Sequence, residues 1–167
     1  NHATLAGHTF SHDLQVCADN GMLGSVDANQ GDSINGWDTD EFPTNIYETT
    51  QAMLVILRNG GLGNGGLNFD AKRRRNSTDL EDLFIAHIGG MDAFARGLKS
   101  AARMINDGVL ADIVTERYAG WDGDLGQQIE RGELSLEGLE AYALEHGEPE
   151  VQSGRQELIE NILNQYI

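Results

Sequence analysis

A repeated unit constrains this chain most: a short apolar run that ends on an aspartate and is followed by helical periodicity. Residues 23–26 lead into Asp27, and residues 67–69 lead into Asp70. Such short apolar runs, bounded by glycines and polar residues, read as buried parallel strands. Ahead of the first, residues 8–20 place Phe10, Leu14 and Cys17 at helical spacing, with Gly21 as a C-terminal cap. Residues 30–43 are polar and read as a long functional loop. Residues 44–59 return to helical spacing through Ile46, Met53 and Leu57 and stop at Gly60-Gly61. After Asp70, Thr78-Asp79-Leu80-Glu81 reads as a capping box. It opens a long helix marked by Leu80, Phe84, Ile88, Met91, Phe94, Leu98, Ala102 and Ile105, which Gly89-Gly90 weakens or breaks. Strand, helix, strand, helix is the pattern of an α/β fold with a parallel sheet or barrel. Two strands close neither, so further strands are expected from elsewhere.

The chain has 167 residues, enough for a modest core, and carries a net charge of −16. Residues 1–109 hold 14 acids and 8 bases, and residues 110–167 hold 13 acids and 3 bases. A phosphate backbone would be repelled, so nucleic acid is excluded as a partner. The run Lys72-Arg73-Arg74-Arg75 is too short to reverse that and reads as a source of local salt bridges or a subunit contact. No apolar run is long enough for a membrane span, and no signal-peptide pattern opens the chain. The single cysteine, Cys17, rules out an internal disulfide and fits a reducing, cytoplasmic compartment. For the same reason Asn76-Ser77-Thr78, a formal glycosylation acceptor, is read as unmodified. The acidic segment 110–167 lacks a strand signal. Leu134, Leu136, Leu139 and Leu144 predict a short helix, and Ser153-Gly154-Arg155-Gln156 a second capping box before Leu158, Ile159, Ile162 and Leu163. This segment is expected to be a helical arm that wraps a neighbour, because it has too few apolar residues for a core of its own.

The aspartates carry the chemistry. Asp27 and Asp70 stand at the C-terminal ends of predicted strands, the rim on which barrel enzymes build their sites, and Asp38-Thr39-Asp40 adds a carboxylate pair. Oxygen donors with one imidazole, His2, favour Mg²⁺, Mn²⁺ or Co²⁺ over zinc. Two readings are rejected on spacing. Asp27 and Asp38 bracket a segment of calcium-loop length, but Gly31 replaces a ligand and Asp32 takes the obligatory glycine position. Gly61, Gly63 and Gly66 spell a dinucleotide fingerprint, but they precede a strand and no helix start is offered to a pyrophosphate. His8 and His12 are spaced as zinc ligands on a helix but lack a third His or Cys, and His87 and His146 read as packing or surface residues. Cys17 reads as core, and nothing resembles an activated nucleophile.

Four motifs then converge on one family. Asn1-His2-Ala3-Thr4-Leu5-Ala6-Gly7-His8, Gly24-Ser25-Val26-Asp27-Ala28-Asn29, Gly36-Trp37-Asp38-Thr39-Asp40-Glu41-Phe42-Pro43 and Gly66-Leu67-Asn68-Phe69-Asp70-Ala71-Lys72 closely resemble xylose isomerase, in its order and spacing. The resemblance continues through His87-Ile88-Gly89-Gly90-Met91-Asp92 and Arg117-Tyr118 to Leu136-Glu137. It implies a TIM (β/α)8 barrel of which residues 1–109 supply the last two strands and their helices. Residues 110–167 would be a C-terminal helical arm for subunit association in a homotetramer. It implies an aldose–ketose isomerase that interconverts D-xylose and D-xylulose, and also D-glucose and D-fructose, by a 1,2-hydride shift assisted by two divalent cations, Mg²⁺ foremost. In the family's terms Asp27 and Asp70 bind one ion, and His2, Asp38 and Asp40 bind the other. A bridging glutamate is expected two residues before Asn1. No catalytic residue of the family falls within this chain, so the N-terminal portion of the enzyme is the expected partner, and the chain alone is expected to be inactive.

Overall fold

The computed structural model describes residues 7–32 and 37–167. His2 therefore lies outside the described residues. The chain divides into two compact units, residues 1–107 with Leu163–Ile167, and Gly108–Ile162.

The first unit begins with helix α1, Phe10–Asp19, whose first turn is capped by the Thr9 hydroxyl accepting from the His12 N–H at 3.3 Å. Gly21 ends it as expected, at φ +66°, with Met22 N–H reaching back to the Cys17 carbonyl at 2.8 Å. Strand β1, Val26–Asp27, pairs in parallel with β4, Leu67–Asn68, with Val26 opposite Leu67 and Asp27 opposite Asn68. Helix α2, Ile46–Arg58, lies between them in the chain, so the expected strand–helix–strand unit is present. Asn45 caps α2 by accepting from Tyr47 N–H at 3.1 Å and Glu48 N–H at 3.3 Å. Asn45→Ala is expected to cost about 1 kcal/mol, read as a lower midpoint in thermal unfolding with no change in metal binding.

Three expectations need correction. Residues 30–43 are not simply a loop: β2, Gln30–Asp32, and β3, Trp37–Glu41, form an antiparallel hairpin. Its strands are polar because the acids on β3 are neutralised from outside, so no hydrophobic alternation marks them. β4 is not buried, and Leu67 is 36% exposed. Among the described residues β4 pairs with β1 alone, and a strand with one neighbour keeps its faces open. The capping boxes are also displaced. Helix α3, Leu80–Asp107, starts after Asp79, whose N–H donates to the Asp82 carboxylate at 3.1 Å, so Asp82 does what Glu81 was expected to do. At α7, Gln156–Tyr166, the Ser153 hydroxyl accepts from Arg155 N–H at 3.2 Å, while the Gln156 amide donates to Glu160.

Helix α3 runs unbroken through Gly89-Gly90. It buries Gly90, Ala93, Phe94, Gly97, Ser100, Ala101 and Met104, a stripe of mostly small side chains that packs against α2. The apolar core consists of this stripe with Leu14, Val26, Phe42, Met53, Leu54 and Ile56. The end of α7 joins it: Leu163 is buried, Ser100 Oγ donates to the Tyr166 carbonyl at 2.7 Å, and Tyr166 Oη donates to Asp107 at 2.7 Å. On the N-terminal half of α3, Phe84, Ile85, Ile88 and Met91 remain exposed.

The second unit holds α4, Ala111–Tyr118, a short 3-10 turn at Ala119–Asp122, α5, Asp124–Glu130, and α6, Leu136–His146, before α7 begins. The helix expected around Leu136 to Leu144 is α6; α4 and α5 were not anticipated individually, being short and weakly apolar. Among the described residues, no buried hydrophobic side chain belongs to Gly108–Ile162, and Leu136, Leu144 and Val151 are almost fully exposed. His146 stacks on Tyr142 with ring centroids 3.9 Å apart.

Candidate metal centre

The parallel pair β1–β4 decides where the aspartates go. Asp27 closes β1 opposite Asn68, whose side-chain amide donates to Asp27 Oδ1. Asp70 follows two residues beyond Asn68, so Asp27 lies at the C-terminal end of one strand and Asp70 just past the end of its parallel neighbour. The chain continues from β1 through Ala28 and Asn29 into the hairpin, and β3 returns Asp38 and Asp40 towards this edge. Asn29, only 3% exposed, connects the two groups. Its Nδ2 donates to the Asp38 carboxylate oxygens at 3.3 and 3.4 Å, and its Oδ1 accepts the Asp70 N–H at 3.2 Å. A single buried amide thus ties a ligand candidate on the hairpin to one after β4.

Asp40 has φ +50°, an unusual value for a residue with a side chain. A local bond holds it: the Asp40 N–H donates to Asp38 Oδ1 at 2.8 Å, an Asx-type turn that aspartate supports better than most residues. The Lys72 ammonium pairs with the Asp40 carboxylate, and the Lys72 N–H donates to the Asp40 carbonyl at 2.9 Å. The hydrogen bond to Asp40 raises the Lys72 pKa above its usual value, helped by the Asp40 charge and less strongly by Asp38 and Asp70. Arg74 pairs with Glu41, and Arg73 donates to the Asp79 carbonyl at 2.7 Å. The basic run therefore neutralises the acidic hairpin beside it.

The donor chemistry fits hard divalent ions. Carboxylates of Asp27, Asp38, Asp40 and Asp70 are oxygen donors, and Lys72 already answers the field of three of them with a cation. Among the described residues, no three of these aspartates bring ligand oxygens within 4.8 Å of one another. The four stand as two pairs in the chain, and either pair needs donors from outside itself to complete a coordination shell.

Asn29 is the site residue that the sequence reading did not single out. Its signal lay in its position, two residues after Asp27 at the end of a strand, where a buried amide has to find partners. Of the histidines, His87 packs its ring 4.5 Å from Phe42 and bonds the Leu83 carbonyl at 3.0 Å, so it is a half-buried packing residue. His8 lies before the α1 cap and not on the helix, yet it meets His12 edge to face at 4.6 Å, and both reach Asp13.

The chain is similar to known proteins. A family described as the XylA2 C-terminal domain matches residues 114–167. Xylose isomerases of Phocaeicola vulgatus and Bacteroides thetaiotaomicron are each 63% identical over 166 residues, which is 99% of this chain and 38% of theirs. The xylose isomerase of Geobacillus stearothermophilus is 60% identical over all 167 residues, 38% of its own length. The chain thus spans well under half the length of these curated relatives. Identity at this level over nearly every residue, with a C-terminal-domain match in its last third, shows that the chain belongs to the xylose isomerase family, to whose C-terminal part it corresponds.

Proposed function

We propose that this chain is the C-terminal part of an aldose–ketose isomerase that interconverts D-xylose and D-xylulose, and D-glucose and D-fructose, by a 1,2-hydride shift. The observation that carries this reading is the identity of 60–63% to proteins named xylose isomerase. The parallel β1–β4 pair supports it, with Asp27 at its C-terminal end and Asp70 just beyond. In this reading β1 and β4 are the last two strands of a TIM (β/α)8 barrel, completed by the N-terminal portion of the enzyme. Residues 110–167 form the arm that embraces another subunit of a cytoplasmic homotetramer. The apolar surface of α3 and the coreless second unit suit a chain that buries more area in an assembly. Among the described residues, no helix is long and apolar enough to span a bilayer.

Asp27 and Asp70 would hold the first ion, and His2, Asp38 and Asp40 the second. When bound, Mg²⁺, or Mn²⁺ or Co²⁺ in its place, supplies Lewis-acid stabilisation of the oxygen charge that develops as hydride moves between adjacent carbons. The chain's own part is to orient donors. Asn29 fixes the Asp38 carboxylate and the Asp70 backbone, and the Asp38–Asp40 turn fixes β3 against both. Lys72 holds Asp40 in a neutralised pair that limits repulsion among the four acids.

The test joins this chain to its N-terminal complement in the complete enzyme and measures xylose–xylulose interconversion with Mg²⁺, beside the 167-residue chain alone. Activity is expected in the complete enzyme and none in the isolated chain. An inactive complete enzyme sinks the assignment, and an active isolated chain sinks the claim that the ligand shell is incomplete.

A further inference from the structure

A second cluster of ligating side chains stands at the start of α1 and uses none of the four aspartates. We infer that His8, His12 and Asp13 form a binding site for a divalent transition-metal ion of the zinc type. His8 Nδ1 lies 3.3 Å and His12 Nδ1 2.9 Å from the same oxygen, Asp13 Oδ1. Ligand atoms of all three side chains fall within 4.8 Å of one another, and among the described residues this is the one group of three that does. A tetrahedral zinc ion, with bonds of about 2.0–2.1 Å, holds its ligand atoms roughly 3.3 Å apart. The nitrogen–oxygen separations already have that scale, so small rotations of exposed rings would admit the ion.

The sequence alone argued against this site because His8 and His12 lacked a third partner. Asp13 supplies it. Its side chain is 20% exposed against 40% and 54% for the two imidazoles. That leaves a half-sheltered carboxylate beside two more exposed rings. Without metal, both Nδ1 atoms compete for one carboxylate oxygen, and each must carry its proton on that nitrogen to bond it. A dication satisfies both imidazole lone pairs and the carboxylate together. Two nitrogens and one oxygen select zinc, copper or nickel over magnesium, whose preference is for oxygen.

The experiment titrates the 167-residue chain with zinc chloride, reading affinity by calorimetry and stoichiometry by native mass spectrometry. His12→Ala removes a ligand from an exposed ring and keeps the Thr9 cap, which uses only the His12 backbone. The wild-type chain is expected to bind one zinc ion more tightly than any other, with at least a roughly tenfold loss in His12→Ala and in His8→Gln. Far-ultraviolet circular dichroism of both variants should match wild type. Equal zinc affinity in wild type and both variants overturns the proposal, since groups elsewhere would then hold the ion.

Discussion

Asn29→Ala is expected to weaken divalent-metal binding in the complete enzyme by roughly 10- to 100-fold, the usual penalty for losing a group that orients a metal ligand. The side chain touches no ion in the proposed scheme. It acts through two others: its Nδ2 donates to Asp38 and its Oδ1 accepts the Asp70 N–H. Alanine would leave that N–H without its acceptor at a position that is 3% exposed in the wild type, and would free the Asp38 carboxylate to rotate. Asn29→Asp separates the two effects. It keeps an acceptor for Asp70 but removes the donor and sets a like charge against Asp38, so it should bind metal no better than the alanine variant. Manganese titration, with unfolding of the metal-free variants as control, reads the difference. Unchanged affinity in Asn29→Ala would show that Asp38 and Asp70 are held without it.

Gly97→Ala is expected to destabilise the first unit, although the same change in an open helix does the opposite. A Cβ at Gly97 would stand 2.7 Å from the Thr49 backbone carbon and 2.8 Å from its carbonyl oxygen. Neither atom can retreat cheaply: both belong to α2, and Thr49 Oγ1 donates across the interface to the Ala93 carbonyl at 2.9 Å. Overpacking of this kind costs roughly 1–3 kcal/mol, which exceeds the gain of roughly 0.5–1 kcal/mol that alanine brings to a helix. Gly89 supplies the control on the same helix. It is exposed, and a Cβ there meets nothing within 4 Å, so Gly89→Ala should stabilise by roughly the propensity gain. Urea unfolding should therefore move the two midpoints in opposite directions. A stabilised Gly97→Ala would mean that α2 and α3 pack less closely than described.

The helices were legible where their signals were local. Gly21 and Gly60-Gly61 stopped α1 and α2, and the apolar positions from Phe84 to Ile105 marked α3, because side chains three and four apart share a helical face whatever surrounds them. The exact start of α3 was not: Asp79 and Thr78 are both good caps, and only the position of the Asp82 carboxylate chose between them. The β2–β3 hairpin was illegible for a stronger reason. Its acids are matched by Lys72 and Arg74, more than thirty residues away in the chain, so polar strands look like loop until their partners are in place.

The sequence by itself determined the family, the parallel α/β pattern, and the aspartates as the residues to watch, since strand ends and oxygen donors are written locally. Tertiary structure decided how they are held. Parallel register put Asp27 opposite Asn68, burial turned Asn29 into the link between Asp38 and Asp70, and the start of α1 brought Asp13 within reach of two histidines that spacing alone had left without a third ligand. Each of these depends on the direction of a side chain in space, which pairing and packing fix and periodicity does not.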